Sequence, residues 1–361
     1  LLVLKNDNVF VNDKVLLSIR WRFWYVGWYI RGFIWYYNNL IGHTKKKKII
    51  SRRGGYHGAS IFTGSLTGIE TYHFNYDLPI KGILHTEPAF YFHRADLDQT
   101  EDEYSQFCAE QLEELILKEN PDTVAGFIAE PVIGNGGLVP PPYNYWPRIK
   151  NVLEKYDVAL ISDEVVTGFG RLGKMFGVDY FGIEADMITV AKGITSAYSP
   201  LSGSILSEKI SNVIRDATDK YGVWTHGSTY SAHPISCAAG VANLNHIDNH
   251  QLIKKGKDIS EYFNFKLKEK FQDHPQIGDV RGIGLLSAIE LVKDKKNRKF
   301  FEKQGQLSQE IVTRMARNGI LARAMPAGDT IGFAPAFCIS NDEIDTILDV
   351  TLQSVNEVVN N

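Results

Sequence analysis

From about residue 48 onwards, short apolar runs alternate with segments whose apolar residues recur at helical spacing. Three of these runs cover residues 124–129, 158–162 and 187–191, and amphipathic segments separate them. Apolar strands that alternate with amphipathic helices predict a mainly parallel sheet with helices on both faces. In such a sheet, ligands bind beyond the carboxyl ends of the strands.

Two charged residues stand where two of these strands end. Asp163 follows the 158–162 run, and Lys192 follows the 187–191 run. Taken alone, Asp163 could be a helix cap and Lys192 a strand-end lysine that reaches solvent. Because both fall at carboxyl ends of predicted parallel strands, together they predict one ligand site.

Helix signals support this α/β reading. Thr100 and Glu103 have the form of a capping box, and Pro121 ends the predicted helix. Ser340 and Glu343 suggest a second capping box. The basic run 45–48 is interpreted as a solvated loop before a strand.

After residue 234 the pattern changes to that of a smaller C-terminal α+β domain. Residues 234–271 predict one long or broken helix, and residues 277–292 are strand-like. We therefore expect an atypical segment over 1–34, a large α/β domain over 35–245 and the small domain over 246–361.

The composition excludes several classes of protein. With 39 basic and 42 acidic residues among 361, the net charge is -3, which gives no reason to expect nucleic acid or an anionic membrane as a partner. No apolar stretch reaches membrane-spanning length, although residues 21–37 are unusually aromatic. Three distant cysteines indicate no metal site and no disulfide framework, so we expect a cytoplasmic protein. The first residue is Leu, and we expect the natural N-terminus to lie upstream.

Two longer motifs contain the charged pair. The motifs SDEVVTGFGRLG (residues 162–173) and DMITVAKG (residues 186–193) resemble the signature of the class III aminotransferases, and the spacing between Asp163 and Lys192 also matches. The resemblance extends over about residues 35–361 and is nearest to the ω-amino acid or amine:pyruvate branch. It implies fold type I of the enzymes that use pyridoxal 5'-phosphate (PLP).

The resemblance also implies roles around the cofactor. Lys192 would form the Schiff base with PLP and carry the transferred proton, and Asp163 would pair with the pyridine nitrogen. Val165 would pack on one face of the ring, and Tyr56, in GYHG, would stack on the other, unless it is an ordinary core tyrosine. His57 is either a cofactor-site residue or a structural hydrogen-bonding group.

Further positions follow from the same resemblance. Ser228 and Thr229 match a segment that reaches the neighbouring subunit, where Thr229 would bind the partner's PLP phosphate, so a homodimer with a shared active site is implied; a plain turn is the alternative for Thr229. Glu130 would hydrogen-bond near the cofactor or form a structural ion pair. Arg323 matches a movable arginine that binds a substrate carboxylate, or is a surface arginine on a short strand. Arg171 is interpreted as a structural ion-pair partner.

One segment departs from the family pattern. A Gly-Ser segment that cradles the phosphate should fall near residues 22–27, where this chain has RFWYVG. We therefore expect an N-terminal part that is truncated or atypical. The expected activity is transfer of an amino group from an amine or ω-amino acid to a keto acid such as pyruvate. The alternatives are a related PLP decarboxylase or mutase, or a catalytically impaired remnant.

Overall fold

The computed structural model describes residues 15–20, 26–94, 96–222, 229–326 and 328–359. Within these ranges the strands are β1 (Val15–Arg20), β2 (Lys48–Arg52), β3 (Ile83–Thr86), β4 (Val124–Ala129), β5 (Ala159–Asp163), β6 (Met187–Val190), β7 (Ser202–Leu206), β8 (Ile277–Ile283), β9 (Leu286–Leu291), β10 (Arg323–Ala324) and β11 (Thr330–Phe333). The α-helices are α1 (Val26–Leu40), α2 (Ile61–Leu66), α3 (Glu101–Lys118), α4 (Tyr145–Lys155), α5 (Gly177–Phe181), α6 (Glu208–Tyr221), α7 (Pro234–Asn249), α8 (Leu252–Phe271), α9 (Gln306–Arg317) and α10 (Asn341–Val359).

The chain forms two compact units. The first comprises the described residues up to Pro131 together with Pro141–Gly168 and Gly177–His246. The second comprises Val132–Pro140, Phe169–Phe176 and the described residues from Ile247 onwards. Two short segments from the middle of the chain therefore belong to the same unit as the C-terminal residues.

A seven-stranded sheet forms the centre of the first unit. Its order is β1-β7-β6-β5-β4-β2-β3, and the pairs from β6 through β5, β4 and β2 to β3 are parallel. Strand β7 is antiparallel to both of its neighbours. This mainly parallel sheet confirms the predicted α/β class, and the continuous burial of β4 explains its uninterrupted apolar sequence.

The aromatic stretch near the start of the chain contributes to this core. Helix α1 buries Ile30, Phe33 and Ile34 in the same apolar cluster as Ile128 and Ile161 of the sheet. Among the described helices, none combines the length and the apolar character needed to cross a membrane.

Both predicted capping boxes are present. The Thr100 hydroxyl accepts a hydrogen bond from the Glu103 amide at 3.3 Å, and the Glu103 carboxylate accepts one from the Thr100 amide at 2.8 Å. Ser340 and Glu343 exchange the same two bonds at the start of α10. These contacts satisfy amides that a helix start would otherwise leave without partners.

The second unit contains an antiparallel sheet of order β10-β11-β9-β8. The strand-like region 277–292 is a hairpin of β8 and β9 that turns at Gly284, whose φ is +56°. A side chain at Gly284 would lie 2.6 Å from the Leu172 Cα atom, so both the backbone angle and the space require glycine. Helices α8, α9 and α10 contribute to the apolar core of this unit.

One local interpretation is wrong. The run 45–48 is not simply a solvated loop, because Lys46 is 5% exposed and its ammonium donates to the Tyr156 carbonyl oxygen at 3.1 Å. The same ammonium also donates to the Asp157 carbonyl oxygen. Strand β2 already begins at Lys48, whose ammonium lies 2.8 Å from the Glu119 carboxylate. Lys46 and Lys48 therefore have structural partners that lie far away in the sequence.

Candidate active site

Asp163 is a buried carboxylate at the carboxyl end of β5, with only 3% of its surface exposed. Its Oδ2 atom accepts a hydrogen bond from His57 Nδ1 at 2.8 Å, and its Oδ1 atom accepts one from the Val165 amide at 3.1 Å. Each carboxylate oxygen has two lone pairs, so both retain capacity for another donor. A cationic N–H group is the partner that such a group favours.

His57 supports Asp163 directly. Since an ionised carboxylate can only accept hydrogen bonds, His57 Nδ1 carries the proton of their bond. His57 Nε2 is buried and has no hydrogen-bond partner among the described residues. The His57 amide is itself fixed by the Thr67 hydroxyl at 3.0 Å. His57 therefore hydrogen-bonds to the acid that is predicted to face the cofactor, and its role towards the cofactor stays a prediction.

Lys192 follows β6, the strand beside β5. In the register of these strands, Asp163 is the partner of Thr189, so Lys192 comes three residues beyond the point where Asp163 pairs. Lys192 is exposed and has a φ of +43°, a left-handed backbone that is uncommon for a residue with a side chain. Asp163 and Lys192 thus lie at the carboxyl ends of two adjacent strands.

Asn243 on α7 is a residue that the sequence interpretation missed. Its amide nitrogen donates to the carbonyl oxygens of Gly193 at 2.8 Å and Ile194 at 3.2 Å, and its oxygen accepts a hydrogen bond from the Ser196 hydroxyl at 2.7 Å. Asn243 therefore fixes the turn that follows Lys192. An asparagine inside an otherwise helical pattern was the only available signal.

Tyr56 is held by Glu130. The Glu130 Oε2 atom accepts a hydrogen bond from the Tyr56 amide at 3.2 Å, and Glu130 is 3% exposed. Arg52, buried beside Tyr145, donates to the Glu130 carbonyl oxygen. The Tyr56 ring is half-buried and meets the Tyr72 ring edge-on, with 5.4 Å between their centroids. Glu130 thus positions the backbone of the predicted stacking tyrosine.

The other predicted positions are more dispersed. Val165 is half-buried and packs against the apolar cluster of the first unit. Thr229 is exposed in a turn. Ser228 lies outside the described residues, as do residues 22–25 of the expected phosphate segment.

Arg323 lies in the second unit, at the start of β10. It is exposed, and its Nη2 atom donates to the Asn135 Oδ1 atom at 2.5 Å. The expectation of an ion pair for Arg171 is wrong within the described part of the chain. Its guanidinium donates to the Pro335 carbonyl oxygen and lies 4.7 Å from the centroid of the Phe337 ring, and burial lowers its pKa to about 10.

Glu164 is a second buried acid, and the sequence interpretation gave it no role. It is fully buried and accepts hydrogen bonds from the amides of Gly177 and Val178, each at 2.8 Å, and from the hydroxyls of Thr167 and Ser162. Burial raises its pKa, which these donors oppose. Since Glu164 lies between Asp163 and Val165, this network fixes the backbone that carries both.

The residues present fit the ring of PLP. A buried carboxylate with free lone pairs suits a protonated pyridine nitrogen, and a lysine that follows the adjacent strand suits the aldehyde. The half-buried Tyr56 ring would supply a flat apolar face. Together these features are those of a PLP site at the edge of a fold type I sheet.

Comparison with known proteins identifies the family. The model of the aminotransferase class-III family matches residues 32–355. A diaminobutyrate–2-oxoglutarate transaminase of Halomonas elongata is 48% identical over 325 residues, which cover 90% of this chain and 69% of that protein. A mitochondrial gamma-aminobutyrate transaminase of Solanum lycopersicum is 40% identical over 324 residues, covering 90% of this chain and 62% of its own length.

Solved structures agree with this result. A structure from the directed evolution of transaminases by ancestral reconstruction has a TM-score of 0.93 and 45% identity, and the match covers 95% of this chain and 75% of that one. The omega transaminase of Pseudomonas jessenii in complex with PMP has a TM-score of 0.93 and 32% identity, covering 97% and 77%.

The chain therefore belongs to the class III aminotransferases, which are PLP-dependent transaminases. The predicted family, fold class, cofactor and general activity are confirmed. The roles of individual residues remain predictions.

Proposed function

We propose that this protein moves an amino group from an amine or ω-amino acid to a keto acid such as pyruvate. The observation that carries the proposal is the placement of Asp163 and Lys192 at the ends of adjacent strands, with the acid buried and hydrogen-bonded. The names of the related proteins support the donor class, since those names specify diaminobutyrate and gamma-aminobutyrate.

Lys192 is the residue that moves the proton in this proposal. When bound, PLP supplies an electron sink that makes the proton on the donor carbon acidic. The Lys192 amine would take the proton from the donor carbon in one half-reaction and give a proton to the acceptor carbon in the other, so one base would serve both directions. Asn243 holds the turn that carries Lys192, which limits the positions that the amine can sample.

Asp163 would pair with the protonated ring nitrogen and stabilise its positive charge. Its own orientation is fixed by His57 on one oxygen and by the Val165 amide on the other. Tyr56 and Val165 would contact opposite faces of the ring, and Arg323 would bind the carboxylate of the keto acid. Glu130 would position Tyr56 by accepting a hydrogen bond from its backbone amide.

We also propose that the protein is a cytoplasmic homodimer in which Thr229, with Ser228, binds the phosphate of the partner's cofactor. The exposure of Thr229 supports this, as does the exposure of the large side chains of Tyr198, Tyr230 and Ile235, which are 91%, 65% and 70% accessible. Free cysteines fit a reducing compartment.

Absorbance spectroscopy tests the proposal. Protein incubated with PLP should show a visible band that shifts when an amine donor is added. Lys192→Ala should lack the band, while the matched surface variant Lys118→Ala, on α3, should keep it. Asp163→Asn should keep the band but lower the turnover of donor by at least about a hundredfold, because the ring nitrogen loses its charged partner. A wild-type protein without the band would reject the assignment of Lys192.

A screen with keto acid acceptors then separates transamination from decarboxylation or mutase chemistry. Formation of alanine from pyruvate is the expected result. Carbon dioxide release without alanine would favour the decarboxylase alternative.

Sedimentation tests the proposed homodimer and should give twice the chain mass of 40.7 kDa.

A further inference from the structure

Asn135 lies in a short loop that the surrounding structure holds firmly. The loop is closed by a reciprocal pair of backbone bonds between Ile133 and Val139, at 3.0 and 2.8 Å. Inside it the Leu138 amide donates to the Gly134 carbonyl oxygen at 2.9 Å. Residues with this many backbone bonds have little freedom to move.

A buried cation secures the same loop from the sheet of the second unit. Arg281 on β8 donates from Nε and Nη2 to the Gly137 carbonyl oxygen, at 3.0 and 2.8 Å. Its Nη1 atom is paired with Glu290, which is fully buried, and with Asp279. The loop therefore presents the Asn135 amide at a fixed place.

The contact with Arg323 joins this fixed acceptor to an exposed donor. Arg323 is exposed on the two-residue strand β10, and its Nη2 atom reaches the Asn135 Oδ1 atom at 2.5 Å. Because a guanidinium only donates, the amide must turn its oxygen towards Arg323. The Asn135 amide nitrogen is then left buried, and no partner for it exists in the described ranges.

Because the Asn135 side chain is uncharged, it holds Arg323 less tightly than a carboxylate would. A hydrogen bond to a neutral amide is weaker than one to a carboxylate, and a carboxylate can engage a guanidinium through two parallel bonds. A substrate carboxylate therefore competes well against Asn135. A carboxylate at position 135 would compete on equal terms with the substrate.

We propose that Asn135 is a specificity-determining residue that holds Arg323 weakly enough for a keto acid to capture it. The inference rests on the proposed function, in which Arg323 binds the acceptor carboxylate. When the substrate is a plain amine, Arg323 stays on Asn135. The neutral side chain thus sets the balance between acceptors that carry a carboxylate and donors that lack one.

Steady-state kinetics of the PLP-loaded protein, with pyruvate as acceptor and isopropylamine as donor, provide the test. Asn135→Asp should raise the KM for pyruvate about tenfold, which corresponds to about 1.4 kcal/mol. Asn135→Ala should lower it about two- to fivefold, because Arg323 loses its neutral partner. In the Asp variant, kcat and the KM for isopropylamine should stay within about twofold of wild type, since a plain amine does not use Arg323. The inhibition constant of propionate, which cannot react, should follow the KM for pyruvate.

Two further variants make the outcome decisive. Gln309→Glu adds an exposed negative charge to α9 of the same unit and should leave the KM for pyruvate unchanged. If Asn135→Asp and Asn135→Ala shift this KM in the same direction, or if Asn135→Asp leaves it unchanged, the inference is overturned. Should the Asp variant not fold, Asn135→Ser, a weaker and shorter acceptor, must lower the KM as Ala does.

Arg323→Ala separates this inference from the proposed function. If it raises the KM for pyruvate while the Asn135 variants behave like wild type, only the role of Asn135 fails. If it leaves the KM unchanged, Arg323 does not bind the acceptor, and the inference falls with that part of the proposed function.

Discussion

Replacement of Glu164 by glutamine should destabilise the protein by a net of about 3 kcal/mol, because one buried amide loses its acceptor and the remaining hydrogen bonds weaken. The carboxylate accepts two backbone amides, one on each oxygen, at 2.8 Å, and two hydroxyls. In the Glu164→Gln variant, only one of the two terminal side-chain atoms accepts hydrogen bonds. The two hydroxyls can rotate to donate or accept, but one backbone amide must then face an NH₂ group.

The magnitude follows from these contacts. A buried amide without an acceptor costs about 1–3 kcal/mol, and the remaining bonds to a neutral oxygen each lose about 1 kcal/mol of charge assistance. Burial raises the pKa of Glu164, so removal of the charge also relieves a desolvation cost and offsets part of the loss. The net difference is about 3 kcal/mol.

Equilibrium urea unfolding, followed by tryptophan fluorescence, measures this difference. With an m value of about 3 kcal/mol/M, the midpoint should fall by about 1 M. The matched control is Glu154→Gln on α4, where the side chain is 63% exposed and the expected cost is below about 0.5 kcal/mol. If both variants unfold at the same urea concentration, the buried network around Glu164 does not stabilise the turn that carries Asp163 and Val165.

Three more perturbations have defined outcomes. Burial lowers the pKa of His85 to about 4, so between about pH 6.5 and pH 4 the unfolded chain binds more protons and stability falls as pH falls; His85→Gln should reduce this loss by up to about 3 kcal/mol in urea titrations at several pH values, and parallel pH curves for both proteins would contradict it. Arg281→Met should cost about 3–5 kcal/mol in the same assay because it leaves Glu290 charged and buried, and a cost below about 1 kcal/mol would show that the pair is not needed. Asn243→Ala should slow the development of the visible PLP band after cofactor addition while Asn245→Ala, exposed on the same helix, does not; equal rates would remove Asn243 from the positioning of Lys192.

The strand ends and helix starts were predictable because local patterns determine them. A buried run followed by Asp163 or Lys192 specifies both the strand and the edge where its last side chain lies, and Thr100 with Glu103 specifies a cap through contacts three residues apart. The family motif adds the spacing between these positions. These features need no knowledge of distant contacts.

The features that escaped prediction depend on contacts between distant residues. Lys46 is buried because its ammonium reaches carbonyl oxygens at residues 156 and 157, which a run of basic residues cannot reveal. Asn243 was hidden for the same reason, since its partner Gly193 lies 50 residues earlier. The sequence also did not indicate a role for Asn135, because its partner Arg323 on β10 lies 188 residues later in the chain.

The discontinuous composition of the second unit has a consequence for synthesis on the ribosome. The Gly137 carbonyl oxygen accepts a hydrogen bond from Arg281, which is translated 144 residues later. Arg171 donates to the carbonyl oxygen of Pro335, which is translated 164 residues later. Residues 132–140 and 169–176 therefore emerge from the exit tunnel long before their partners are translated, and an isolated fragment that starts at residue 247 would lack them altogether. During translation, a chaperone could therefore bind these two stretches while their native contacts with the C-terminal residues are still unmade.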